Sequence, residues 1–405
     1  MPRIVVLLLA LALAAAAPVA EAAESHGKLR RSAAKAMRSL GAGSGVLILD
    51  ATERTVIYRL RPYRKRVMAS NTKLFTTAAV LARLSPAGRL ETAVYGVGEK
   101  RESGSFDGDL YLRGGGDPGF GRDDVEELAR QLAEEAGITR VLGRVIGDES
   151  AWDSHRGGPD SGFGPSPWHA PLSALSYEGN GRSALGGRTP PEAAAAALTS
   201  ALERRGVDVR ASARVSRLPD PAGAQRLAGV ASEPMRRLVR TTNKFSSNFY
   251  AEMLLKALSA ADGDVGSTTD GAREAYRFAR RLGARPRLRD GSGLSRGNRA
   301  APADIVELLD ELRDRDEFPA FWGSLSIAGV DGTLAQAPHR GLRRGPARRR
   351  CRGKTGTLSG VSALSGYCRA RSGDTIVFSI LSNGVNSNAA KRIEDRIVQA
   401  IARWG

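Results

Sequence analysis

The sequence predicts an α+β fold whose two ends meet in one sheet, with a large region inserted between them. Three observations carry this prediction. A candidate strand pair lies near the start, a helix apolar all round follows it, and the chain closes on two more strands and an amphipathic helix.

Taken in order, Gly45 to Asp50 (GVLILD) and Val56 to Leu60 (VIYRL) read as a hairpin joined by the polar run Ala51-Thr52-Glu53-Arg54. Leu74 to Leu84 reads as a helix, and its middle, Ala78 to Ala82, has no polar face, which places it inside a domain. From about 92 to 229 the pattern changes. Short strand-like runs (Asp109 to Arg113, Arg140 to Ile146, Val207 to Val215) alternate with surface-type helices at 123–136 and 190–205. Pro190 and Pro191 sit in the first turn of the second helix, where proline is tolerated. After about 230 the buried pattern returns, with a helix over Phe249 to Leu258 and strands over Val361 to Cys368 and Thr375 to Leu381. The last helix puts Ile393, Ile397, Ile401 and Trp404 on one face. The expected organisation is therefore one domain from 23–91 and 230–405, interrupted by an accessory region at 92–229.

At 405 residues and 41% hydrophobic composition the chain is globular and large enough for two domains. Its 61 Lys+Arg against 43 Asp+Glu leave a net charge of +18, which attracts polyanions without saying which. The N-terminus narrows that choice. Met1-Pro2-Arg3 is a short positive region, Ile4 to Ala17 an unbroken apolar run, and Ala20-Glu21-Ala22 a small-x-small cleavage pattern. Fourteen apolar residues are short for a bilayer span. Residues 1–22 are thus expected to be a signal peptide, leaving an exported protein, periplasmic or extracellular and wall-associated, with no stable transmembrane segment. Nucleic acid is not expected as a partner in that compartment, whereas anionic wall polymers are candidates.

Three short elements carry chemistry. Ser70-Asn71-Thr72-Lys73 opens the buried helix, Ser246-Ser247-Asn248 starts a later one, and Lys354-Thr355-Gly356-Thr357 lies in a strand-like run. Each alone is commonplace, since a serine at a helix start is usually a cap. Their order and settings are not. S-x-x-K, S-x-N and K-T-G together form the template of β-lactamases and penicillin-binding proteins. A serine hydroxyl needs a neighbour to take its proton. Three residues apart on a helix puts Lys73 within reach of Ser70, and burial lowers a lysine's pKa enough for it to act as that base. An oxyanion would sit between the N–H groups of Ser70 and Thr357. Gly356 would let the strand approach a bound peptide, Lys354 and Thr355 would hold a substrate carboxylate, and Ser246 and Asn248 would complete the site, with Asn248 on the scissile amide.

Much of the chain resembles the class C low-molecular-mass penicillin-binding proteins, D-alanyl-D-alanine carboxypeptidase/endopeptidases. The resemblance runs from about Ser39 to the C-terminus. Its segments are MASNTK (68–73), GDLYLRGGGDP (108–118), APLSALSYEGN (170–180), NKFSSNFYAEMLLK (243–256), DGSGLSR with Asn298 (290–298), AGVDGTL (328–334) and GKTGTLSGVSALSGY (353–367). It implies a penicillin-binding-protein/β-lactamase-like serine peptidase domain, an antiparallel sheet with helices on both faces, and an inserted region. It implies cleavage of peptidoglycan stem peptides through a Ser70 acyl-enzyme, β-lactams as covalent inhibitors, and no cofactor. Ser247 stands where the family often has Asp, and Gly157 to His169 matches poorly. A β-lactamase on the same fold is the first alternative, but no E-x-x-L-N segment supplies a deacylating glutamate. A wall-binding protein with a dead site is the second, and the complete motifs argue against it.

Other patterns are decoys. Gly114 to Gly119 fits G-x-G-x-x-G, but Asp123, Asp124, Glu126 and Glu127 crowd the following helix start and would repel a pyrophosphate. Gly293-Leu294-Ser295-Arg296-Gly297 fits G-x-S-x-G without the buried strand that motif needs. His26, His155, His169 and His339 have no metal-ligand spacing, and no metal site is expected. Arg340 to Gly353 holds seven arginines, read either as a solvated loop or as a funnel for carboxylate substrates. Finally, if Ser359-Gly360 is a two-residue turn, Cys351 and Cys368 face each other. Counting outward from Leu358–Val361 as a hydrogen-bonded pair makes them a non-hydrogen-bonded pair, with Cα atoms roughly 4.5 Å apart. A disulfide between Cys351 and Cys368 is expected.

Overall fold

The structure, a computed structural model, describes residues 26–220, 223–336 and 340–405. The expected signal peptide and His339 lie outside the described residues. A helix at 26–38 precedes strands β1 (Ser44–Asp50), β2 (Thr55–Leu60) and the two-residue β3 (Arg66–Val67). Five strands follow: β4 (Glu91–Lys100), β5 (Ser105–Gly114), β6 (Arg140–Asp148), β7 (Asp208–Val215) and β8 (Gln225–Ala231). The rest are β9 (Arg299–Ala300), β10 (Ser326–Ile327), β11 (Cys351–Leu358), β12 (Val361–Arg369) and β13 (Thr375–Asn383).

Strands from the two ends form one antiparallel sheet in the order β10-β11-β12-β13-β1-β2. β1 pairs with β13 from Ser44↔Ser382 to Asp50↔Ile376, so the N- and C-terminal parts share a central seam. Both faces are covered, which is why the inner strands read as near-continuous apolar runs rather than alternating ones. Ala363, Tyr367, Val377 and Leu381 face a core built with the helices Thr72–Leu84, Met235–Lys244, Thr268–Arg281 and Pro302–Glu311. Leu364, Cys368, Phe378 and Ile380 face the other core, closed by the 26–38 helix and by Ser387–Arg403. Ile393, Ile397 and Ile401 lie there as their spacing predicted, each worth about 1.5–3 kcal/mol of burial.

The second sheet, β7-β6-β5-β4-β8, is mixed. β5, β6 and β7 run parallel, and each parallel step needs a crossover. The helices Arg122–Arg130 and Pro190–Arg204 supply those crossovers and bury Leu128, Leu198 and Leu202 against Phe106, Leu110 and Leu112. The first of them ends earlier than its sequence suggested, passing into a π-helical turn at Gln131–Glu135.

Candidate active site

Ser70 does not open the α-helix, as its motif suggested. It sits one step earlier, in the 3-10 turn Ala69–Asn71, and the helix proper begins at Thr72. Ala69 has a left-handed backbone (φ 46°), a strained conformation for a residue with a Cβ. The turn is held by Asn71 N–H to Met68 O (3.0 Å), by Thr72 Oγ1 to Ala69 O (2.8 Å), and by Asn71 Nδ2, which donates to Lys354 O (3.0 Å). The last bond ties the nucleophile's turn to β11.

One turn on, Lys73 is completely buried. Its Nζ lies 3.0 Å from Ser70 Oγ, 2.8 Å from Asn248 Oδ1 and 2.6 Å from Ser292 O. Burial lowers its pKa to about 7, opposed by the carboxylates of Glu252 and Asp290. A neutral amine here donates two hydrogens, to Asn248 and Ser292 O, and keeps its lone pair for the Ser70 proton. Glu252 accepts from Gly291 N (3.1 Å) and Ser292 N (2.8 Å). Asp290 accepts from Gly293 N (2.7 Å), Ser295 N (2.6 Å) and Asn298 Nδ2 (2.7 Å). These two buried acids therefore set the loop that presents Ser292 O to the lysine. Burial and Glu252 push Asp290 up to about 7, and burial raises Glu252 as well.

Ser246 also has a left-handed backbone (φ 56°), and its Oγ accepts from Lys354 Nζ at 2.8 Å. Ser247 caps the helix Asn248–Ser259 by accepting from Tyr250 N, which an Asp does equally well. That explains why the departure from the family's usual residue leaves the helix start intact. Asn248 Nδ2 donates to Trp168 O (3.3 Å), and buried Lys256 pairs with Asp153 (2.5 Å). Both contacts join the 92–229 stretch to the site, so that stretch touches a motif residue rather than standing apart.

On β11, Lys354 and Gly356 lie on the face toward the nucleophile's helix. Lys354 is fully buried, and burial, then Lys73 and Arg340, hold its pKa well below the usual lysine value. Gly356 has a packing reason of its own. A Cβ there would lie 2.8 Å from Met68 O and 3.1 Å from Ser70 N, so the missing side chain lets the strand meet the nucleophile's own turn. Thr355 Oγ1 donates to Thr333 Oγ1 (2.8 Å), and Thr357 is exposed. Arg369 N bonds Arg350 O, which makes 350–369 a hydrogen-bonded pair and Thr357–Ser362 a non-hydrogen-bonded one. The Thr357 N–H thus points away from β12. β10 pairs only with Arg352 and Gly353, leaving that edge open beside Ser70. Cys351 and Cys368 are opposite one another and disulfide-bonded, with Cα atoms 4.0 Å apart.

The three motifs thus meet around Ser70, with Thr355 and Thr357 beside Lys354 and Gly356 on β11. The sequence profile of the D-Ala-D-Ala carboxypeptidase 3 (S13) family matches residues 27–185 and 173–404. The chain belongs to that family. The D-alanyl-D-alanine carboxypeptidase of Actinomadura sp. (strain R39) is 28% identical over 447 residues, covering 90% of this chain and 82% of that one. The crystal structure of penicillin binding protein 4 (dacB) from Haemophilus influenzae has a TM-score of 0.78 at 22% identity, covering 90% of this chain and 98% of that one. The same protein complexed with a β-lactam gives 0.74 at 20% identity, with coverage of 90% and 98%. The S13 assignment bears out the expected penicillin-binding-protein-like α+β fold.

In this S13 chain the decoys are structural. Gly116 (φ 95°) lies where a Cβ would meet the Trp152 ring at 2.1 Å, which is a packing reason for the glycine run. Ser295 belongs to the Asp290 loop. In the arginine-rich segment Arg340 is buried against Glu394 and Asp395 (2.8 Å each), Leu342 and Ala347 enter the core under the C-terminal helix, and Arg343, Arg344, Arg348, Arg349 and Arg350 are exposed. Sequence reasoning missed Glu252, Asp290 and Ser292 as supports of the lysine. Position was the one available signal, since Glu252 follows the N-cap Ser247 by five residues on the buried side of its helix, and it becomes readable only once that burial is seen.

Proposed function

We propose that this chain is a serine D-alanyl-D-alanine carboxypeptidase of peptidoglycan stem peptides, with Ser70 as nucleophile and Lys73 as its base. The observation that carries the reading is the buried Lys73 amine, 3.0 Å from Ser70 Oγ and near neutrality at physiological pH. The peptide adds along the open edge of β11. Lys73 takes the Ser70 proton as Oγ bonds to the carbonyl carbon of the penultimate D-alanine. The N–H groups of Ser70 and Thr357 receive the oxyanion. Collapse breaks the C–N bond, and the departing D-alanine amine takes a proton delivered through Lys73 or the Ser246–Lys354 pair. Lys354 and Thr355 hold the terminal carboxylate, and Asn248 orients the scissile amide. Water then releases the acyl group.

β-Lactams are expected to stop at the acyl-enzyme. Glu252, the acid whose charge acts most strongly on Lys73, is buried and holds the Gly291 and Ser292 N–H groups, which disfavours it as the base for a deacylating water. Among the described residues no helix is long and apolar enough to cross a membrane. Together with the N-terminal segment, this supports an exported, wall-acting enzyme built as a peptidase domain with a 92–229 insertion. The test is release of D-alanine from a synthetic peptide ending in D-Ala-D-Ala. Wild type should release it, Ser70→Ala should not, and equal release by both would refute the assignment.

A further inference from the structure

A cavity of about 730 Å³ lies outside the catalytic groove, and nothing in the proposed reaction uses it. The helix Thr268–Arg281 contributes Arg273 and Tyr276 to it, and residues 286–289 contribute Arg287, Leu288 and Arg289. Phe163 closes the cavity from the 157–169 loop, and Ser295 and Gly297 of the Asp290 loop form one edge.

Three features give the cavity a chemistry. Among the described residues no acidic side chain lines it, and no carboxylate lies within ion-pair distance of Arg287 or Arg289; Arg273 is paired with Asp270. Its floor is aromatic and aliphatic. Phe163 has a left-handed backbone (φ 65°), strain that a bulky residue rarely carries and that gathers at ligand clamps. That strain is held by Phe163 N–H to Gly158 O (2.9 Å) and by stacking on His155 at 4.9 Å.

We propose that this cavity binds an acidic glycan, a saccharide chain bearing carboxylates. The flat C–H faces of sugar rings fit Tyr276 and Phe163, and guanidinium groups take carboxylates in bidentate pairs. The net charge of +18 draws such a chain in. Phe163 lies in the 157–169 stretch that matches the family poorly. The site does not depend on the catalytic assignment.

The test is fluorescence anisotropy with labelled tetragalacturonate at about 150 mM salt, where the Debye length is about 8 Å and the diffuse contribution of net charge is screened. Arg287→Gln with Arg289→Gln should weaken binding about tenfold, the loss of roughly 1.4 kcal/mol. Tyr276→Ala and Phe163→Ala should each weaken it measurably. Arg344→Gln with Arg348→Gln, the same charge change elsewhere, should not. Inorganic polyphosphate, which has no ring face, should be indifferent to Tyr276→Ala and Phe163→Ala. Absence of tetragalacturonate binding would overturn the proposal. So would equal weakening by the two arginine pairs, or indifference of tetragalacturonate to both aromatic variants in proteins of unchanged melting temperature. Acylation by penicillin should persist in every variant, so failure here is distinguishable from failure of the catalytic reading.

Discussion

If Lys73 is the base, acylation must follow its neutral fraction. With a pKa of about 7 the amine is about half neutral at pH 7, roughly 9% at pH 6 and roughly 91% at pH 8. An ordinary lysine at 10.5 would be only about 0.03% neutral at pH 7, so burial raises the competent population by about three orders of magnitude. The Glu252 carboxylate is the largest charge opposing that depression. Glu252→Gln removes it, so the lysine pKa should fall further and the acid limb should move to lower pH. The glutamine oxygen still accepts one of the two N–H bonds from Gly291 and Ser292, and a melting curve checks that the loop survives. The assay is stopped-flow acylation by a fluorescent penicillin from pH 5 to 9, read as the second-order rate constant. Wild type should rise through an apparent pKa near 7. A flat profile, a limb near pH 10, or a shift to higher pH in Glu252→Gln would refute the reasoning.

Three other outcomes follow. Lys354→Ala should erase the preference for a D-Ala-D-Ala peptide over its C-terminal amide, by roughly 10–150-fold for a lost charged hydrogen bond, and an unchanged preference ratio would remove the clamp role. Gly356→Val should fold yet acylate on the order of 100-fold more slowly, because its Cβ would press on Met68 O and Ser70 N and shift the nucleophile; wild-type kinetics in that variant would contradict the close approach. Replacing Cys351 and Cys368 by serine opens a 17-residue loop and should cost about 3 kcal/mol in denaturant unfolding, whereas an unchanged midpoint would show that the β11–β12 hairpin needs no staple.

The parts of the molecule legible in sequence were those where local pattern and tertiary environment agree. Thr375 to Leu381 reads as a strand because both of its faces are buried, and the last helix because its isoleucines repeat at helical spacing. The Cys351–Cys368 register followed from a two-residue turn alone. β4 and β8 were not read, since β4 carries glycines and an exposed charged end (Val97 to Lys100) and β8 buries little beyond Ala228. The helices Met235–Lys244 and Thr268–Arg281 escaped for a similar reason. Their buried positions are partly Thr, Asn, Gly and Ala, which carry weak hydrophobic signal. The motif residues were legible because their types are chemically demanding. Glu252 and Asp290 were not, because a carboxylate in sequence reads as surface until its burial is seen. The direction of Gly356 required knowing which face of β11 meets the Met68–Ser70 turn.

The central claim is that Ser70 forms the covalent intermediate, and intact-mass spectrometry after penicillin treatment tests it most directly. Wild type should gain one penicilloyl mass that persists for many minutes and maps to the peptide containing Ser70, while Ser70→Ala gains none. An adduct on the Ala variant, an adduct mapped elsewhere, or rapid return of the wild type to its free mass would contradict the account.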